Sequence, residues 1–97
     1  MTSAEIRRRI AEHRRELEDL EVSSLALFGS AARNEASESS DIDLLVEFRQ
    51  PVGLFTFYRV QEYLEDLLGT PRVDLVLRRA VIDELKDRIY GEAVPCL

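Results

Sequence analysis

At 97 residues, with 45% hydrophobic and 33% charged residues, the chain has a globular balance that excludes disorder, and its length suits a single domain over residues 1–97. No apolar run is long enough to cross a bilayer and the N-terminus is charged, so a membrane is not expected as a partner and the cytoplasm is the expected compartment. The net charge of −6 argues against direct nucleic-acid binding, which depends on Lys and Arg neutralising phosphates, and it points to a bridging cation if a phosphate ligand is handled.

In chain order, the spacing of Ile6, Ile10, Leu17 and Leu20 predicts one helix over about Ser3 to Leu20, with Thr2 and Glu5 at capping-box separation. Arg7, Arg8, Arg9, Arg14 and Arg15 lie mostly off that stripe and read as a solvated face balanced by Glu12, Glu16, Glu18 and Asp19. His13 has no second His to share a metal and reads as a packed or boundary residue. Leu25 to Phe28 is a short apolar run ending at Gly29, expected as a buried strand. Residues 31–40 are small and polar, with room for one helical turn at the start.

From Asp41 to Phe48 the chain alternates with period two. Ile42, Leu44, Val46 and Phe48 fall on one face, and Asp41, Asp43, Leu45 and Glu47 on the other. A helix is expected over Leu54 to Leu68, capped by Gly69 and followed by Pro71. Val73 to Leu77 predicts a third strand with Asp74 on the face opposite Val73, Leu75 and Leu77. A last helix over about Ala80 to Tyr90 would turn Ile82, Leu85 and Ile89 inward and stop at Gly91. The resulting order, αβ(α)βαβα, is an α+β fold: a small mixed sheet flanked by helices. The lone cysteine, Cys96, can form no internal disulfide, which fits a reducing compartment.

Three features carry potential chemistry. Asp41 and Asp43 leave one face of a strand with Cα atoms roughly 6.5–7 Å apart. Two like charges there repel unless a cation lies between them, although an isolated Asp-x-Asp is more often a wet strand face. Asp74 interrupts an otherwise apolar strand, where burial is costly without a partner. If the third strand lies beside the second, three carboxylates converge into a hard-oxygen site suited to Mg²⁺. Two such ions about 3.5–4 Å apart can hold the attacking and leaving oxygens of an in-line displacement. Gly29 and Ser30 at a strand end add a turn whose backbone can approach a phosphate closely. A P-loop is excluded, because the only lysine is Lys86 and no Gly-Lys-Ser/Thr occurs.

The run GSAARNEASESSDIDLLVEF, with Gly-Ser, ten intervening residues and Asp-apolar-Asp-apolar, resembles the signature of the DNA polymerase β-like nucleotidyltransferase superfamily. Ala32-Arg33 and the segment Ser40 to Val46 look like its minimal members, the MNT proteins of prokaryotic HEPN/MNT toxin–antitoxin pairs. Asp74 in its strand and the closing Glu92-Ala93-Val94 extend the likeness over nearly the whole chain.

By position, the resemblance implies that Gly29 and Ser30 hold the triphosphate of ATP. It implies that Asp41 and Asp43 bind Mg²⁺ and that Asp74 is the third carboxylate, a metal ligand that also helps deprotonate the acceptor. Arg33 would contact phosphate, a role that competes with a solvated loop arginine. Asn34 stands where relatives carry glycine; Asn tolerates a left-handed backbone, so the turn is expected to survive.

The implied activity is AMP transfer from ATP to a tyrosine of a cognate HEPN RNase toxin, which neutralises it. With no added acceptor-binding domain expected, a macromolecular acceptor fits better than a small drug, and the acidic surface suits a basic partner. Two other readings stay open: an antitoxin that acts by occlusion alone, and a small-molecule nucleotidyltransferase subunit of the aminoglycoside type.

Overall fold

The computed structural model describes residues 1–35 and 40–97, so positions 36–39 of the spacer between the Gly-Ser turn and Asp41 lie outside the described residues. A four-stranded sheet in the order β3-β2-β1-β4 forms the centre. The strands are β1 (Val22–Phe28), β2 (Ile42–Phe48), β3 (Val73–Leu77) and β4 (Val94–Pro95). β1 runs antiparallel to both β2 and β4, whereas β2 and β3 are parallel and joined by α4 (Leu54–Leu68). The mixed sheet and α+β class expected from the hydrophobic periods are thus present.

One sheet face carries the main core. Leu25, Leu27, Leu44, Val46 and Leu75 meet Ile6, Ile10 and Leu17 from the N-terminal helices and Val60, Leu64 and Leu68 from α4. The N-terminal segment differs from the single helix expected: α1 (Ser3–Glu12) and α2 (Arg14–Asp19) meet at a break on His13. There the His13 amide donates to the Ile10 carbonyl, and the His13 Nδ1 lies 2.8 Å from the Arg9 carbonyl that regular helix would have used. The apolar stripe survives, since Ile6, Ile10 and Leu17 are all fully buried. Thr2 caps α1 as its spacing with Glu5 predicts, its hydroxyl accepting from the Glu5 amide at 3.2 Å.

β1 begins three residues before the apolar run, at Val22. A register shift between Val22 and Ser24 lets Val22 and Leu25 both face the main core although they are three apart. α4 and β3 have the expected bounds, and Gly69 ends α4 with a φ of 69°.

The other sheet face bears a small second cluster of Ala26, Leu45 and Val81, with Ile89, Tyr90 and Ala93 packed on it. A 3₁₀ turn (Arg78–Ala80) precedes α5 (Asp83–Glu92). The last helix therefore starts later than its pattern suggests and runs through Gly91. Ile82 and Leu85, expected inward, are 58% and 41% exposed. Val81, in the turn before α5, takes the inward position instead.

Candidate active site

Strand register builds the site. Phe28 pairs with Asp43, and Asp43 pairs with Asp74, so one cross-strand row reads Phe28–Asp43–Asp74 on the sheet's second face. The next row on that face is Ala26–Leu45–Val76, which belongs to the small cluster. The alternation that sends Ile42 and Leu44 into the main core therefore sends Asp43 to the face opposite it. Antiparallel pairing brings the end of β1, and Gly29 with it, to the beginnings of β2 and β3. Asp41 lies one residue before β2, exposed, and an Ile42 amide bond to the Arg72 carbonyl at 2.7 Å fastens this corner to the start of β3.

Gly29 is required where it stands. Its φ is +72°, and a Cβ at this position would collide with the Asp43 carboxylate. The backbone here is thus held directly against the first strand acid. α3 (Gly29–Ala32) is a single turn. The Ser30 carbonyl accepts from the Arg33 and Glu35 amides at 3.2 and 2.9 Å, curling the chain back after the turn. Asn34 adopts the left-handed conformation its position demands, with φ 60°. Its Oδ1 accepts from the Ser3 amide at 2.7 Å, a tie between the start of α1 and this loop that sequence reading did not foresee.

Electrostatics distinguish Asp43. Burial, then the neighbouring Asp74 and Asp41 charges, and a hydrogen bond with the Asp74 side chain raise its pKa from 3.8 to about 6. Every one of these influences is upward, so no cation among the described residues offsets the repulsion at this carboxyl. Asp41 has a distant ion pair, 3.9 Å to Arg72 with both side chains more than half exposed, which contributes little.

The three acids are not drawn into a finished coordination shell: among the described residues no three His, Cys, Asp or Glu side chains are already in ligating geometry. The donor set is nevertheless what a hard divalent cation takes, namely carboxylate oxygens on an open, half-solvated sheet end with uncompensated negative charge.

Arg33 follows the Gly-Ser turn as expected but is engaged by two glutamates, Glu35 and Glu92, each at 3.1 Å. Hydrogen bonding to Glu35 is the largest influence holding its guanidinium pKa above the ordinary value. Arg72 and Glu35 were not singled out in the sequence. The only signal for Arg72 was its place one residue before the strand carrying Asp74.

A family model described as "Nucleotidyltransferase domain" matches residues 8–96. A Methanocaldococcus jannaschii protein provisionally named a protein adenylyltransferase is 46% identical over 81 residues, 82% of each chain. The protein adenylyltransferase MntA of Thermococcus cleftensis is 39% identical over 95 residues, covering 97% of this chain and 95% of MntA. Among solved structures, a protein provisionally described as a minimal nucleotidyltransferase superposes with a TM-score of 0.83 at 36% identity, over 98% of this chain and 96% of that one. The MNT antitoxin complex with tri-AMPylated Shewanella oneidensis HEPN toxin matches with a TM-score of 0.66 at 19% identity, covering 95% of this chain and 71% of that one. At that identity it speaks for the fold alone.

Proposed function

Because this chain belongs to the nucleotidyltransferase domain family, we propose that it is a minimal, single-domain protein adenylyltransferase of the cytoplasm, moving AMP from ATP to a tyrosine of a cognate HEPN-type toxin. The names carried by its relatives support the protein acceptor. The observation that carries the catalytic reading is the row of Asp43 and Asp74 across β2 and β3, with Gly29 packed on Asp43.

In this reading Asp41, Asp43 and Asp74 hold Mg²⁺, as one or two ions, and the uncompensated repulsion at Asp43 is what such a charge relieves. Bound there, the metal supplies a countercharge to the triphosphate and to the charge that develops during transfer. Gly29 allows close backbone approach to the phosphates, and Ser30 adds a hydroxyl donor. Arg33 is a phosphate contact only after exchanging a glutamate partner for phosphate oxygens. The phenolic oxygen of the acceptor attacks the α-phosphorus, the bond to the bridging oxygen of the β-phosphate breaks, and pyrophosphate leaves. Asp74, exposed where Asp43 is half-buried, is open to the acceptor and takes the phenolic proton.

The test is incubation of the chain and its toxin with labelled ATP and Mg²⁺. Label on the toxin is expected with the wild type, and Asp41→Asn and Asp74→Asn should each reduce it at least a hundredfold while the proteins still associate. Neutralisation that persists in Asp41→Asn/Asp74→Asn without label would instead mean occlusion, and the adenylyl-transfer reading would fall.

A further inference from the structure

The far end of β2 and β3, opposite the acids, opens into a cavity of about 490 Å³ that the adenylyl-transfer reading does not use. Phe48, Leu54, Phe57, Leu77 and Tyr90 supply its apolar lining. Next to it the start of α4 exposes Leu54 at 73%, Phe55 at 77% and Tyr58 at 54%, a concentration of large apolar side chains not matched elsewhere on the described surface. The rim is basic although the chain is acidic. Arg49 and Arg78 line the cavity, each beside a glutamate, Glu21 at 3.0 Å and Glu47 at 3.8 Å. Arg79 lines it with no ion pair among the described residues, and Arg59 rests over the Phe55 ring at 5.9 Å without a carboxylate partner. The first turn of α4 adds to this positive rim, since Gly53 provides no side-chain cap and no acidic residue follows.

We propose that this cavity and the exposed start of α4 form the docking surface for the acceptor protein, and that they take an acidic segment presenting an apolar side chain. The proposal rests on the protein-acceptor reading above. Charge decides between occupants. A second copy bound about a two-fold axis would set this basic patch against itself. A nucleic acid needs many phosphates neutralised, and of the arginines at this patch only Arg59 and Arg79 lack a carboxylate partner among the described residues, in a chain of net charge −6. A carboxylate-bearing protein segment with an apolar anchor satisfies both the cavity and its rim. Glu47 at the cavity lies four residues along β2 from Asp43, roughly 13 Å, so a partner held here has its neighbouring residues within reach of the acids.

The test uses the purified chain and its cognate toxin, with Kd and AMP transfer measured side by side for Arg59→Glu/Arg79→Glu and for Phe55→Ala/Tyr58→Ala. All four residues are exposed, and circular dichroism checks the fold. Each pair should raise Kd about tenfold or more, and raised salt should weaken wild-type binding more than it weakens binding of the arginine variant. Transfer at limiting toxin should fall in the same proportion and recover at saturating toxin, while Mg²⁺–ATP binding to the chain alone stays unchanged. Wild-type affinity in both variants overturns the proposal. So does a change confined to self-association in sedimentation, or a patch-dependent affinity for single-stranded RNA that toxin does not displace. The wild type separates the two ideas: absence of label on the toxin with the complex intact and still patch-dependent defeats the transfer reading and leaves the docking surface standing.

Discussion

At the scale of single residues, Asp43 joins the proposed chemistry to a pH response. Its pKa, raised from 3.8 to about 6, means that the folded chain without metal binds more protons than the unfolded chain between those values. The Asp43 contribution to stability is therefore most favourable at low pH and declines as pH rises through about 4 to 6. At pH 7 the ionised carboxyl destabilises the metal-free fold by about 1 kcal/mol once solvent screening at a half-buried site is allowed for. Asp43→Asn should raise the metal-free Tm at pH 7 by several degrees, with the difference vanishing below about pH 4 and transfer lost throughout. Thermal scans of both proteins across pH check this, and a wild type as stable as the variant at pH 7 would contradict it. The same proton competes with a cation, so Mg²⁺–ATP affinity should weaken as pH falls through about 6.

At the scale of elements, the turn joining β1 to α3 is bound to β2 by more than hydrogen bonds, because Gly29 leaves no room for a side chain beside Asp43. Gly29→Ala costs about 1–2 kcal/mol for the left-handed backbone alone and must also displace the carboxylate, so transfer should fall well over tenfold. Gly69 is the control: its φ is +69° with nothing near its Cβ position, so Gly69→Ala should cost a similar backbone penalty and leave specific activity intact. Denaturant unfolding with transfer assays on the folded protein distinguishes the two.

Elements with long, regular periods were legible from the sequence. α4 and β3 have the expected bounds, and the alternation of β2 separates Asp43 from the main core. The exception on that face is Leu45, which has its own small cluster under α5. The misplaced element was α5, where Ile82, Leu85 and Ile89 have helical spacing but the chain first spends three residues in a 3₁₀ turn that turns Val81 inward instead. β4 is only two residues long, secured by pairing with Ala26 and Leu27 and by the Cys96 amide on the Leu25 carbonyl at 2.8 Å, and has no period to read. Of the candidate site, the positions of the acids were readable because strand periodicity dictates them. The Arg33–Glu92 pair and the Ser3–Asn34 bond were not, since they join segments 59 and 31 residues apart.

At the scale of the molecule, the sheet separates two kinds of surface. Acids and the Gly-Ser turn occupy the end where β2 and β3 begin, and the apolar, arginine-rimmed cavity occupies the end where they finish. The proposed partner capture and chemistry thus stand at opposite ends of two parallel strands of one sheet.

The parallel pairing of β3 on β2 has a consequence for how this chain tolerates change in length. Strand faces alternate, so sliding β3 by one position would swap Asp74 with Val73 or Leu75, driving a carboxylate under α4 and a valine or leucine towards solvent. Indels in the turn between Gly69 and Arg72 are therefore screened for parity by the core itself. A one-residue insertion there should be absorbed as loop slack, with circular dichroism and transfer both near wild type. A protein that instead keeps its helices and loses transfer would reveal that β3 had slipped.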